Sequence, residues 1–257
     1  MTEVLTPDRG AFCFAELQTS DVNGSAQFFR DLFGWTTADV PGAHGDYLLF
    51  QLDGRDVAGL RRTDGGKQRW IPYVFVENIA STTARAAQIG GVDSAPVVTP
   101  GIGRTCLLRD AEGAELGLWE AGGHQGARVV DVTGSMWWIE LMSSDVTVAR
   151  RFYTSLFGWS YRETDKYGLP FPYTVFTLGE QSVAGAAQSL PEWGLKPNWG
   201  VFFATDSFTE TVKRACAMGG SLGFWRDVPA VGRLGVIGDP HGGTFIVMHP
   251  NQLPALS

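Results

Sequence analysis

The chain has 257 residues, enough for two domains of ordinary size, each with its own core. A net charge of -7, a pI near 5.1 and the lack of a basic patch argue against nucleic acid or an anionic membrane as partner. No apolar run approaches the roughly 20 residues of a membrane span, and three widely spaced cysteines (Cys13, Cys106, Cys216) fit reduced thiols in a cytoplasmic protein.

The opening MTEVLTPDRGAF lacks a basic segment followed by an apolar core, so no signal peptide is expected. A first strand runs into Ser20-Asp21, a pair suited to a helix N-cap. Apolar residues then recur at helical spacing, Phe28 with Leu32 and Phe29 with Phe33, and Gly34 stands where a left-handed C-cap belongs. Two strands about a two-residue turn at Asp53-Gly54 follow, the later one containing VAGL (Val57–Leu60). Next come a strand WIPYVFVEN, a helix ending at Gly90-Gly91, and GRTCLLRDAEGAELGLWE (Gly103–Glu120), which reads as a hairpin with a four-residue turn.

Residues 122–134 read as a linker, after which the pattern returns. LQTSDVNGSAQFFRDLFGW (Leu17–Trp35) is matched by LMSSDVTVARRFYTSLFGW (Leu141–Trp159). The first hairpin is matched by GRLGVIGDPHGGTFIVMH (Gly232–His249). Strand, helix and three strands therefore occur four times. The fold class is α+β, with four βαβββ units in two domains, 1–121 and 135–257.

The capped helix ending Leu-Phe-Gly-Trp and the hairpin Gly-Arg…Asp-x-x-Gly, repeated in phase over nearly the whole chain, resemble the vicinal oxygen chelate superfamily. That superfamily includes glyoxalase I, bleomycin- and fosfomycin-resistance proteins and extradiol dioxygenases. The resemblance implies two glyoxalase-like domains whose curled mixed sheets each surround a cleft. It also implies a metal in the cleft, held from the first and last strands of each unit, usually by His, Gln or Glu. The matching positions here are Phe14, Gly59, Ile71 and Gly117, then Trp138, Gly185, Gly200 and Ile246. None offers a donor side chain, so no metal and no other cofactor is expected, and the metal-dependent chemistries fall with it. Tandem members without the ligands resemble an actinobacterial subgroup labelled hydroxylases, beside aromatic polyketide pathways. That implies a tailoring enzyme of secondary metabolism, active in antibiotic biosynthesis on an aromatic or polyketide-like small molecule. The bleomycin-resistance members imply the alternative, a protein that sequesters a drug or metabolite without catalysis. A scaffold with no ligand is a third reading.

Alternation along a strand turns Glu16 and Glu140 toward the cleft if Phe14 and Trp138 face it. A carboxyl in an apolar cleft has a raised pKa and can serve as general acid or base. Glu140 and Glu16 are thus the candidate catalytic residues, Glu140 being preferred. A four-residue hairpin turn would set Arg104 across from Trp119 and bring Arg104 and Arg233 into the cleft. The competing reading is a structural Glu–Arg pair in each half. Trp138, Phe14, Phe176, Trp225 and Met248 complete the candidate substrate-binding set, suited to a flat apolar ligand. Tyr47 and Tyr173 are expected to point away from the cleft. The long segment Tyr161–Tyr173 reads as a lid or a plain surface loop. A homodimer, with units paired between chains, stays open.

Overall fold

A computed structural model describes Thr2–Glu3 and residues 6–251, so the outermost bounds of the two expected domains, 1 and 257, lie outside the described residues. The first half runs β1 (Thr2–Glu3), β2 (Phe12–Thr19), α1 (Val22–Phe33), β3 (Thr36–Asp39), β4 (Tyr47–Leu52), β5 (Arg55–Arg62), β6 (Arg69–Phe75), α2 (Ile79–Gln88), β7 (Val92–Asp93), β8 (Val97–Thr99), β9 (Gly103–Arg109) and β10 (Glu115–Ala121). After β11 (Val129–Val130) the second half runs β12 (Met136–Ser143), α3 (Val146–Phe157), β13 (Ser160–Thr164), β14 (Tyr173–Leu178), β15 (Gln181–Gln188), β16 (Asn198–Ala204), α4 (Phe208–Ala217), β17 (Ser221–Val228), β18 (Gly232–Gly238) and β19 (Thr244–Pro250).

Local signals account for the helices. Asp21 and Asp145 accept backbone N–H bonds at the starts of α1 and α3. Gly34 and Gly158 end those helices in the left-handed conformation, at φ 74° and 73°. Each large sheet takes all its strands from one half. The first is ordered β3-β4-β5-β2-β6-β10-β9-β7 with β8 on β9, and the second β13-β14-β15-β12-β16-β19-β18-β17. The central antiparallel pairs, β2 with β6 and β12 with β16, join two units into one curled mixed sheet. This is a two-domain glyoxalase-like α+β fold.

Two local irregularities decide which side chains enter the clefts. Arg109 pairs with Glu115 and Gly238 with Thr244, so each hairpin turn holds five residues rather than four. Asp110 and Asp239 stabilise these turns by accepting two backbone N–H bonds each. One more residue in the turn reverses the phase of the whole strand. Arg104 therefore pairs with Glu120, and Arg233 turns to the outer face. The second irregularity is a bulge between Phe50 and Gln51, repeated between Phe176 and Thr177. It inverts β4 and β14 beyond the two-residue turns. Tyr47 and Tyr173 consequently face the clefts, and Phe176 faces the helices.

The two halves pack back to back through their helical faces. Phe29 of α1 lies 5.3 Å from Phe245 of β19, and Phe33 lies 5.6 Å from Phe203 of β16. Reciprocally, Phe12 of β2 lies 5.1 Å from Trp199. Trp35 Nε1 donates to the Gly134 carbonyl and Trp159 Nε1 donates to the Gly10 carbonyl, both at 2.7 Å. One hydrophobic core thus runs through both halves.

Candidate functional site

The second-half cleft is open. A cavity of about 1710 Å³ lies on the concave face of its sheet and reaches the edge of the first half. Its floor comes from alternate residues of the central strands: Trp138 and Glu140 of β12, Phe202 of β16, Ile246 and Met248 of β19. One wall is Tyr173 with the β13–β14 loop, which contributes Tyr167 and Leu169. Arg226 of β17 donates to the carbonyls of Tyr167 and Gly168 and holds that loop over the cavity.

A hydrogen-bond chain crosses the floor. Trp138 Nε1 donates to Tyr173 Oη at 3.0 Å, and the Tyr173 hydroxyl donates to Glu140 Oε2 at 2.5 Å. Burial pushes the Glu140 carboxyl above the usual carboxylate range, against the opposing pull of the Tyr173 bond and of Arg226. Burial and the adjoining carboxylate push Tyr173 well above the usual phenol value. Tyr173 is therefore a fixed donor rather than a base. Glu140 is the carboxyl on the floor, and burial holds it toward its protonated form.

The first-half cleft is sealed. Phe14, Tyr47, Tyr73 and Trp119 are at most 1% exposed and fill it. Glu16 is fully buried, and its Oε1 accepts from Arg61 Nε at 3.0 Å, Tyr73 Oη at 2.9 Å and Gln18 Nε2 at 3.0 Å. The Arg61 guanidinium lies 4.7 Å over the Tyr47 ring. Among the described residues, Glu16 Oε2 and the Tyr47 hydroxyl have no hydrogen-bond partner.

Along 246 residues the chain is 32% identical to CFP32 of Mycobacterium tuberculosis, named as a glyoxylase, covering 92% of this chain and 94% of that protein. It is 34% identical over 259 residues to the anthracycline biosynthesis protein DnrV of Streptomyces peucetius, covering 93% of each. The fold matches a Mn(II)-bound glyoxalase from Novosphingobium aromaticivorans with TM-score 0.61 at 13% identity, covering 96% of this chain and 86% of that one. The chain belongs to the vicinal oxygen chelate superfamily. No protein-family model matches it.

A metal is implied by that superfamily, but the residues present do not fit one. Among the described residues no group of three His, Cys, Asp or Glu is placed to hold an ion. At the ligand positions the sheet carries apolar or glycine residues, and the space a ligand would need is taken. A Cβ on Gly59 or Gly185 would collide with the hydroxyl of Tyr47 or Tyr173, and one on Gly117 with the Tyr73 ring. The tyrosines of this superfamily member thus stand where metal-binding side chains would project. Among the described residues, no helix is long and apolar enough to cross a membrane.

The structure sorts the expected site residues into two groups. Trp138, Glu140 and Met248 share the open cavity, and Phe14 and Glu16 sit in the sealed one. Four expected residues leave the clefts. Arg104 pairs with Glu120 and Arg233 with Asp227, both outside because of the five-residue turn. Phe176 packs against Tyr153 and Trp159 in the core because of the β14 bulge. Trp225 follows an irregularity in β17 and lies on the outer face, 6.2 Å from Phe208, while its neighbour Phe224 lines the cavity. Sequence reasoning missed Tyr173, Phe202 and Arg226. Alternation from Gly200 alone would have found Phe202; no local signal marks the bulge that turns Tyr173 inward.

Proposed function

We propose that this superfamily member acts, without a metal, on an aromatic or polyketide-like small molecule bound in the second-half cavity, as a tailoring enzyme of secondary metabolism. The cavity carries the reading: it is large, walled by Trp138, Phe202 and Tyr167, and holds one proton-active carboxyl on its floor. The similarity to proteins named for anthracycline biosynthesis supports a flat polycyclic ligand. Aromatic walls bind such a skeleton by stacking and apolar burial. Glu140 gives or takes the proton, Tyr173 fixes the carboxyl from one side, and Trp138 fixes Tyr173. The β13–β14 loop, held by Arg226, shields the bound molecule from water.

A hydroxylated anthraquinone titrated against the intact chain, followed by tryptophan fluorescence, tests the binding half of this reading. Turnover by Glu140→Gln tests the chemical half. Turnover lost with affinity retained supports acid–base catalysis. Tight binding by both forms with no product under any condition supports sequestration instead. Stoichiometric transition metal in the active purified protein, with activity abolished by chelation, would overturn metal independence.

A further inference from the structure

The first half holds a cation at a place where the second half carries a small apolar residue. The two sheets are in register: Glu16 pairs with Gly59 and Glu140 with Gly185. Two residues on, Gln18 pairs with Arg61 and Met142 with Ala187. Arg61 and Ala187 are therefore equivalent positions. By the same alignment, Phe14 pairs with Tyr73 and Trp138 with Phe202. Every donor that satisfies Glu16 thus has an apolar counterpart in the second half: Arg61 becomes Ala187, Tyr73 becomes Phe202, Gln18 becomes Met142. The acceptor carboxyl and the aromatic ring are kept, as Glu140 and Tyr173. Glu140, Tyr173 and Ala187 all line the open cavity.

In the first half, the guanidinium of Arg61 contacts the carboxylate of Glu16 and the face of Tyr47. A carboxylate beside an aromatic face is a recognised cradle for a cationic nitrogen. The cations already near the cavity make their hydrogen bonds elsewhere, although Arg226 still acts on Glu140 through its charge. Arg226 is bonded to the carbonyls of Tyr167 and Gly168, Arg162 to Ser182, and Arg69 to Glu115 and Gln18. We propose that the part of the cavity lined by Ala187, Glu140 and Tyr173, where the Tyr167 ring stands 5.1 Å from that of Tyr173, binds a cationic nitrogen of the ligand, a protonated amine or guanidinium carried on the aromatic skeleton, between the Glu140 carboxylate and the Tyr173 ring. The ligand's cation takes the place that Arg61 fills in the first half. This rests on the reading of the cavity as an aromatic site and adds the charge that the ligand must carry. The ionised Glu140 that pairs with the cation is also the form able to accept a proton.

The test compares two probes on the same skeleton, the cationic 2-naphthylmethylammonium and the neutral 2-naphthylmethanol, titrated at neutral pH against the intact chain by calorimetry. The ammonium is expected to bind at least about tenfold more tightly, the equivalent of about 1.4 kcal/mol. That preference is expected to vanish in Glu140→Gln, which keeps an acceptor for Tyr173 but no charge. It is expected to vanish also in Ala187→Arg, where the protein supplies the guanidinium itself; should that variant not fold, Glu140→Gln decides alone. Equal binding of both probes by the parent protein overturns the cationic subsite and leaves the aromatic reading standing. A tenfold preference that survives in Glu140→Gln also overturns it, since the overall negative charge would then be its source. If neither probe binds at millimolar concentration, the aromatic reading falls and this inference with it.

Discussion

Arg61→Ala gives the sharpest test of the idea that the first cleft is sealed by its own side chains. The substitution makes the first half resemble the second at that position. It removes a guanidinium 3.0 Å from a carboxylate that is fully buried. It also removes the contact with the Tyr47 ring at 4.7 Å and bonds to the Thr99 hydroxyl at 3.2–3.3 Å. Breaking a buried pair from one side costs about 3–5 kcal/mol, because the other charge is left without compensation. Tyr73 and Gln18 still donate to Glu16, which favours the lower end. At about 2–4 °C per kcal/mol for a chain of this size class, the midpoint should fall by roughly 6–20 °C. Urea denaturation and thermal scanning of the intact chain measure both quantities. Adding Glu16→Gln should recover about half of the loss or more, since it removes the stranded charge. A loss below about 1 kcal/mol, or no recovery in the double variant, would refute the account of Glu16 as a carboxylate held by Arg61.

Three further outcomes are expected. Burial raises the Glu140 carboxyl, so ionising it is less favourable in the folded chain than in the unfolded one, and the contribution of this group to parent stability should decline as pH rises from about 4.3 through the raised value. Glu140→Gln should therefore match the parent at acid pH and exceed it at neutral pH in ligand-free denaturation curves; the reverse trend would show that the carboxyl is stabilised as an anion. Gly185→Ala should force the Tyr173 hydroxyl off Glu140, destabilise the fold by about 1–3 kcal/mol and weaken anthraquinone binding, read by denaturation and fluorescence titration. Met248→Trp copies the filling residue Trp119 of the first cleft and should leave the melting temperature unchanged or higher while reducing anthraquinone affinity at least about tenfold; undiminished affinity would place the ligand elsewhere.

The fourfold architecture was legible because its signals are local. Asp21 and Asp145 cap their helices, Gly34 and Gly158 end them, and the hairpins repeat the same turn residues. The central strands were legible too: alternation from Phe14 and Trp138 correctly carried Glu16 and Glu140 to the concave faces. What could not be read was phase beyond an irregularity. The β14 bulge and the fifth turn residue each reverse a strand without leaving a mark in composition, and they misdirected Tyr173, Phe176 and Arg233. Nor does a single sequence separate an aromatic residue that fills a cleft, such as Trp119, from one that borders a hollow, such as Trp138. That difference lies in the sum of surrounding volumes, Arg61 against Ala187 and Tyr73 against Phe202.

The reciprocal tryptophan bonds at the back of the molecule bear on how such a chain can change. Trp35 and Trp159 clasp opposite halves, so neither copy can discard its Leu-Phe-Gly-Trp ending without loosening its twin. The concave sides are less alike, although first-half residues such as Arg69 and Glu115 reach the rim of the second-half cavity. The convex backs thus bind the two copies to each other, while their concave faces have different fillings: one is occupied by its own rings and the other encloses a cavity.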